Sequence, residues 1–105
     1  MPERWVAVAS VRDVPPGTVR VVRAGGESLA LCNVNGQFYA VQNLCTHDGG
    51  PLGEGELVGY AVECPRHGAR FDVRTGTVLA LPAVRPIRTY KTRVQGETIE
   101  VALPT

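Results

Sequence analysis

No window of this chain holds an apolar stripe at helical spacing. Short β-branched and aromatic runs alternate instead with glycine, proline and asparagine, a pattern that commits the chain to strands. The expected strands cover residues 5–9, 18–22, 28–34, 37–42, 60–63, 70–73, 87–94 and 98–102. Pro15-Pro16-Gly17, Gly25-Gly26, Thr75-Gly76 and Gln95-Gly96-Glu97 turn the chain between them. Asn35-Gly36 is the sharpest signal, because both residues tolerate the positive φ that a two-residue primed hairpin turn demands. None of the eight prolines falls inside a run, as strands require of a residue that has no N–H. The expected fold class is therefore all-β, with antiparallel strands.

At 105 residues the chain fits one domain, 1–105, able to bury roughly two thirds of its unfolded surface. Eleven Lys and Arg stand against ten Asp and Glu, a formal charge of +1, and no basic run or basic stripe marks a nucleic-acid partner. The start of the sequence shows no charged leader followed by an apolar stretch, and no apolar run is long enough to cross a bilayer. The expectation is a cytoplasmic protein with no membrane partner. Three cysteines are present. Cys32 lies in the apolar run 28–34, where burial as a small hydrophobe is the expectation.

The other two cysteines stand beside the two histidines of the chain. Cys45 and His47 form Cys-x-His, Cys64 and His67 form Cys-x-x-His, and residues 48–63 separate the pairs. Two cysteines and two histidines can make a tetrahedral zinc site. Zinc motifs, however, usually place cysteine with cysteine and histidine with histidine, and here each pair is mixed. A mixed pair suits two metal ions joined by bridging sulfides, because the neighbouring cysteine and histidine can then reach different metals. Gly49, Gly50 and Gly68 beside the pairs suit backbone packed closely around such a group.

Cys45-Thr46-His47-Asp48-Gly49-Gly50 and Cys64-Pro65-Arg66-His67-Gly68 resemble the ligand loops of the Rieske family of [2Fe-2S] proteins. The resemblance extends through Ala69-Arg70-Phe71-Asp72 and Thr75-Gly76. It implies one [2Fe-2S] cluster per chain, with Cys45 and Cys64 on one iron and His47 and His67 on the other. It also implies a sandwich-like base domain carrying an inserted cluster-binding subdomain, at about residues 43–68. A proline-containing loop covers the cluster in the family, and residues 81–86 are the candidate. An ordinary surface connection between strands is an equal reading of that segment.

Respiratory Rieske proteins carry an additional cysteine in each ligand loop, and those two form a disulfide. Gly50 and Arg66 occupy the matching positions. The high-potential relatives also carry a Ser and a Tyr that hydrogen-bond to sulfur, where this chain has Ala69 and Phe71. Fewer bonds to sulfur disfavour the reduced cluster, so the expected potential lies at the low end of the Rieske range, roughly −150 mV. The resemblance then implies an electron carrier and not an enzyme, with a flavoprotein reductase and a terminal oxygenase as transient protein partners. No histidine remains for a mononuclear iron site, and no Gly-rich nucleotide fingerprint is present. Two alternatives stand: the small subunit of a nitrite reductase, and a zinc-binding interaction module.

Overall fold

A computed structural model describes residues 3–45, 49–66, 68–81, 83 and 85–104. His47 and His67 lie outside the described residues, as do Thr46, Asp48, Pro82 and Val84. The chain forms eleven strands in three antiparallel sheets, and no α-helix among the described residues. The strands are β1 (Glu3–Ser10), β2 (Val19–Ala24), β3 (Glu27–Val34), β4 (Gln37–Gln42), β5 (Glu56–Val58), β6 (Ala61–Glu63), β7 (Arg70–Asp72), β8 (Val78–Ala80), β9 (Thr89–Tyr90), β10 (Thr92–Gln95) and β11 (Thr98–Pro104). Single 3₁₀ turns occupy Val11–Asp13 and Leu52–Glu54.

The first sheet has the order β1-β11-β10, the second β2-β3-β4-β9 and the third β5-β6-β7-β8. Turn chemistry fixes the register of the second sheet. Asn35 (φ 53°) and Gly36 (φ 90°) join β3 to β4 with Val34 opposite Gln37, and Gly25 and Gly26 join β2 to β3 with Ala24 opposite Glu27. Both connections place two residues at positive φ, as a primed turn does.

From Leu29 to Val34 β3 is buried on both faces, which explains the continuous apolar run from Leu29 to Cys32. Ala30, Cys32 and Val34 face the third sheet, packing with Val62, Phe71 and Val73. Leu29 and Leu31 face the first, packing with Ile99, Val101 and Leu103. The second sheet is thus the middle layer. Its one-residue alternation distributes side chains between two cores.

The expected single strand over 87–94 is in fact two strands in different sheets. β9 pairs with β4, whereas β10 pairs with β11, and the chain changes sheet at Lys91. No turn residue marks the change, because a strand that leaves one sheet for another keeps extended backbone throughout. β5 and β8 were not expected as strands. They are three-residue edges whose extended state comes from pairing with β6 and β7. Among the described residues no helix is long and apolar enough to cross a membrane.

Candidate metal centre

The third sheet carries the second Cys/His segment at one end of its central hairpin. β6 ends at Glu63, Cys64 opens the loop, and β7 resumes at Arg70, with Glu63 and Arg70 directly opposite. Their side chains form an ion pair of 2.7 Å across the base of the loop. Inside it, the Cys64 N–H donates to the Ala69 carbonyl at 2.7 Å, and the Gly68 N–H donates to the Cys64 carbonyl at 3.2 Å. Gly68 sits at φ 78°, a left-handed conformation that glycine adopts without steric cost.

The first segment closes in the same way although it lies between β4 and a 3₁₀ turn. The Cys45 N–H donates to the Gly50 carbonyl at 2.8 Å and the Gly49 N–H to the Cys45 carbonyl at 2.7 Å, with Gly49 at φ 77°. Glycine four residues after each cysteine is therefore a backbone requirement. Asn43 ties this loop to the base: its side-chain N–H donates to the Ser28 hydroxyl at 2.9 Å, and its side-chain oxygen accepts from the Gly53 N–H at 2.6 Å.

Cys45 and Cys64 are both fully buried, neither forms a disulfide, and both belong to one core with Leu52, Ala69, Phe71 and Ala83. The structure thus brings together the two expected cysteines, from loops 19 residues apart in sequence. The two histidines lie outside the described residues, and among the described residues no group of three metal-binding side chains gathers. Two buried thiols in twin glycine-closed loops, walled by small or apolar residues, fit a sulfur-ligated cluster.

Three features were beyond the reach of sequence reasoning. Ala83 is fully buried in the core that holds both cysteines, while Leu81 is 75% exposed. The resemblance marks residues 81–86 as a candidate covering loop but does not say which of them is buried. Asn43 had the look of an ordinary loop residue. Gly55, where a Cβ would overlap the Glu63 carbonyl, marks a close approach between the start of β5 and the second loop. Cys32, as expected, is a buried hydrophobe, and burial pushes its thiol up to about 12.

The Rieske [2Fe-2S] domain family matches this chain over residues 4–91. The chain belongs to that family. It is 39% identical over 103 residues to the ferredoxin component of a naphthalene 1,2-dioxygenase system from Pseudomonas aeruginosa, covering 98% of this chain and 99% of that protein. Its fold matches the ferredoxin of carbazole 1,9a-dioxygenase from Nocardioides aromaticivorans IC177 with a TM-score of 0.88 at 36% identity, covering 92% of this chain and 95% of that one. A chain in the complex of reduced oxygenase and oxidized ferredoxin in carbazole 1,9a-dioxygenase matches with a TM-score of 0.86 at 39% identity, over 93% of this chain and 92% of that one. As a Rieske protein of the ferredoxin kind, this chain is an electron-transfer component and not itself a catalyst.

Proposed function

We propose that this Rieske ferredoxin binds one [2Fe-2S] cluster through Cys45, His47, Cys64 and His67. It carries single electrons from a flavin-dependent NAD(P)H reductase to the terminal oxygenase of a dioxygenase system. The reading rests above all on the two buried cysteines in identically closed loops within one core. Identity of 39% to a dioxygenase-system ferredoxin component supports the shuttle role over that of a nitrite reductase subunit. When bound, the cluster supplies one-electron chemistry. The protein's own part is to exclude water, hold two thiolates at fixed positions and cover the site with the 81–86 loop. The chain acts as one domain, 1–105, with about 43–68 as its cluster-binding subdomain. It works as a soluble protein in the cytoplasm.

Ala69 and Phe71 are fully buried in the same core as both cysteines and carry no hydroxyl. That supports a potential at the low end of the Rieske range. Replacing Ala69 with Ser and Phe71 with Tyr together should raise the midpoint, because hydrogen bonds to sulfur favour the reduced state. An unchanged or lower midpoint would remove this explanation of the potential. The ligand assignment is tested by the EPR spectrum of the dithionite-reduced protein. Mixed Cys/His ligation gives a lower average g than an all-cysteine cluster, whereas a colourless, EPR-silent protein holding stoichiometric zinc would overturn the reading.

A further inference from the structure

A cleft of about 690 Å³ opens between the first two sheets and the loop after β7, within the size range of small-molecule sites. It lies at the end of β7 opposite the Cys64 loop. Tyr39 of β4, Val73 after β7 and Ala102 of β11 supply apolar wall, and Arg74, Arg88 and Lys91 line the cleft with positive charge.

These cations are only partly satisfied by the protein. Arg74 spends Nε and Nη2 on the Asp72 carboxylate, at 3.1 and 2.8 Å, which leaves the two N–H groups of Nη1. Lys91 Nζ gives one of its three donors to Glu3 at 3.2 Å. Arg88 is exposed, and its side chain neighbours the Tyr90 phenol, which itself donates to Glu27 at 3.1 Å. Among the described lining residues Glu3 is the one carboxylate, and it is engaged by Lys91. Among the described lining residues three cations therefore stand against one carboxylate, beside an apolar wall. That is the chemistry of an anion with an apolar body: the charge meets surplus N–H donors and the body covers Tyr39 and Val73.

We propose that this cleft is a binding site for a small aromatic carboxylate, separate from the cluster and bridging the base sheets to the loop after β7. Charged hydrogen bonds hold the carboxylate against the cationic lining, and the ring lies on apolar wall. Because the ligand joins the two base sheets to the loop after β7 in the folded state, binding raises the unfolding temperature of the holoprotein.

The experiment is a calorimetric titration of the holoprotein with benzoate, acetate and benzyl alcohol at constant ionic strength. Benzoate should bind saturably at one site. Acetate, lacking the ring, and benzyl alcohol, lacking the charge, should each bind roughly tenfold more weakly, the loss expected for one charged hydrogen bond or one apolar contact face. The exposed pair Arg88→Gln and Lys91→Gln should weaken benzoate by at least about tenfold without altering the visible spectrum. Absence of saturable benzoate binding overturns the proposal. So does equal binding of acetate, which would show an adventitious anion only, or unchanged affinity in the double variant.

Discussion

The two ends of β7 carry loops with the same backbone and opposite side-chain logic. At one end, residues 64–69 close with Cys64 donating to Ala69 and Gly68 donating back to Cys64. At the other, residues 72–77 repeat the scheme: the Asp72 N–H donates to the Thr77 carbonyl at 2.9 Å, and the Gly76 N–H to the Asp72 carbonyl at 2.7 Å, with Gly76 at φ 81°. The first residue of the second loop is a carboxylate, and the protein satisfies it internally. Arg74 grips it through its backbone N–H at 2.8 Å and through both guanidinium contacts, and stacks on the Tyr60 ring at 3.9 Å. Tyr60 in turn meets Tyr39 of the base edge-on, 6.1 Å between centroids. In the first loop the corresponding side chain is a buried cysteine in an apolar wall. The same backbone closure thus forms around a cysteine in one loop and around a carboxylate in the other. The two loops differ in their first side chain: one is a buried thiol, the other a carboxylate bound by its neighbours.

The largest effect should separate the twins completely. Cys64→Ala, and likewise Cys45→Ala, His47→Ala or His67→Ala, should lose the visible spectrum and essentially all iron. Asp72→Ala should keep both, as should Cys32→Ala. Iron analysis of the purified variants checks this, and full iron content in the Cys64 or His67 variant would break the assignment.

The glycines come next. A Cβ at Gly68 meets nothing within 4 Å, so Gly68→Ala suffers only the left-handed backbone, about 1 kcal/mol. At Gly76 a Cβ would also overlap the Ile87 carbonyl, which accepts no alternative position cheaply because the Ile87 N–H is bonded to the Gly76 carbonyl at 3.0 Å. Gly76→Ala should therefore cost about 3 kcal/mol, and the two thermal midpoints measure the difference. Equal losses would mean that the Ile87 segment moves freely.

A third contrast lies between sulfurs. Cys32 sits in the same core as Cys64 but must remain a thiol, its folded pKa pushed up to about 12 by burial. A raised folded pKa means that its stabilising effect is complete below the unfolded thiol value, about 8.5, and is lost as pH climbs toward the folded one. Wild type should lose about 1.4 kcal/mol relative to Cys32→Ala for each pH unit above about 9. Parallel alkaline unfolding profiles for the two proteins would contradict this.

The smallest effect belongs to Asp72, whose carboxyl Arg74 holds below its ordinary value, chiefly by the side-chain hydrogen bond. A depressed folded pKa gives stability that is present above the unfolded value and lost as pH falls through the folded one. Asp72→Asn should cost about 1 kcal/mol at neutral pH, and its gap from wild type should narrow below about pH 4. Urea unfolding at pH 7 and pH 3 provides the comparison.

Local chemistry made much of this legible in advance. Asn35-Gly36 announced its hairpin because few residues accept positive φ, and the mixed Cys/His order announced the metal because so few side chains bind one. The apolar run from Leu29 to Cys32 in β3 announced a buried strand but not that it separates two cores. The change of sheet at Lys91 left no trace, since extended backbone looks the same in either sheet. Likewise the three-residue edges β5 and β8 are strands only because β6 and β7 pair with them.

Sequence alone determined what depends on one residue's own bonds and torsions: the strand-and-turn alternation, the positive-φ glycines, and the identity of the candidate ligands. Tertiary structure alone decided what depends on distant partners. It brought Cys45 and Cys64 into one core, set Ala83 against them, and left Arg74, Arg88 and Lys91 facing one cleft. Such neighbours are set by how three sheets stack, and stacking energy belongs to the summed apolar surface of many residues, so no single position in the sequence displays it.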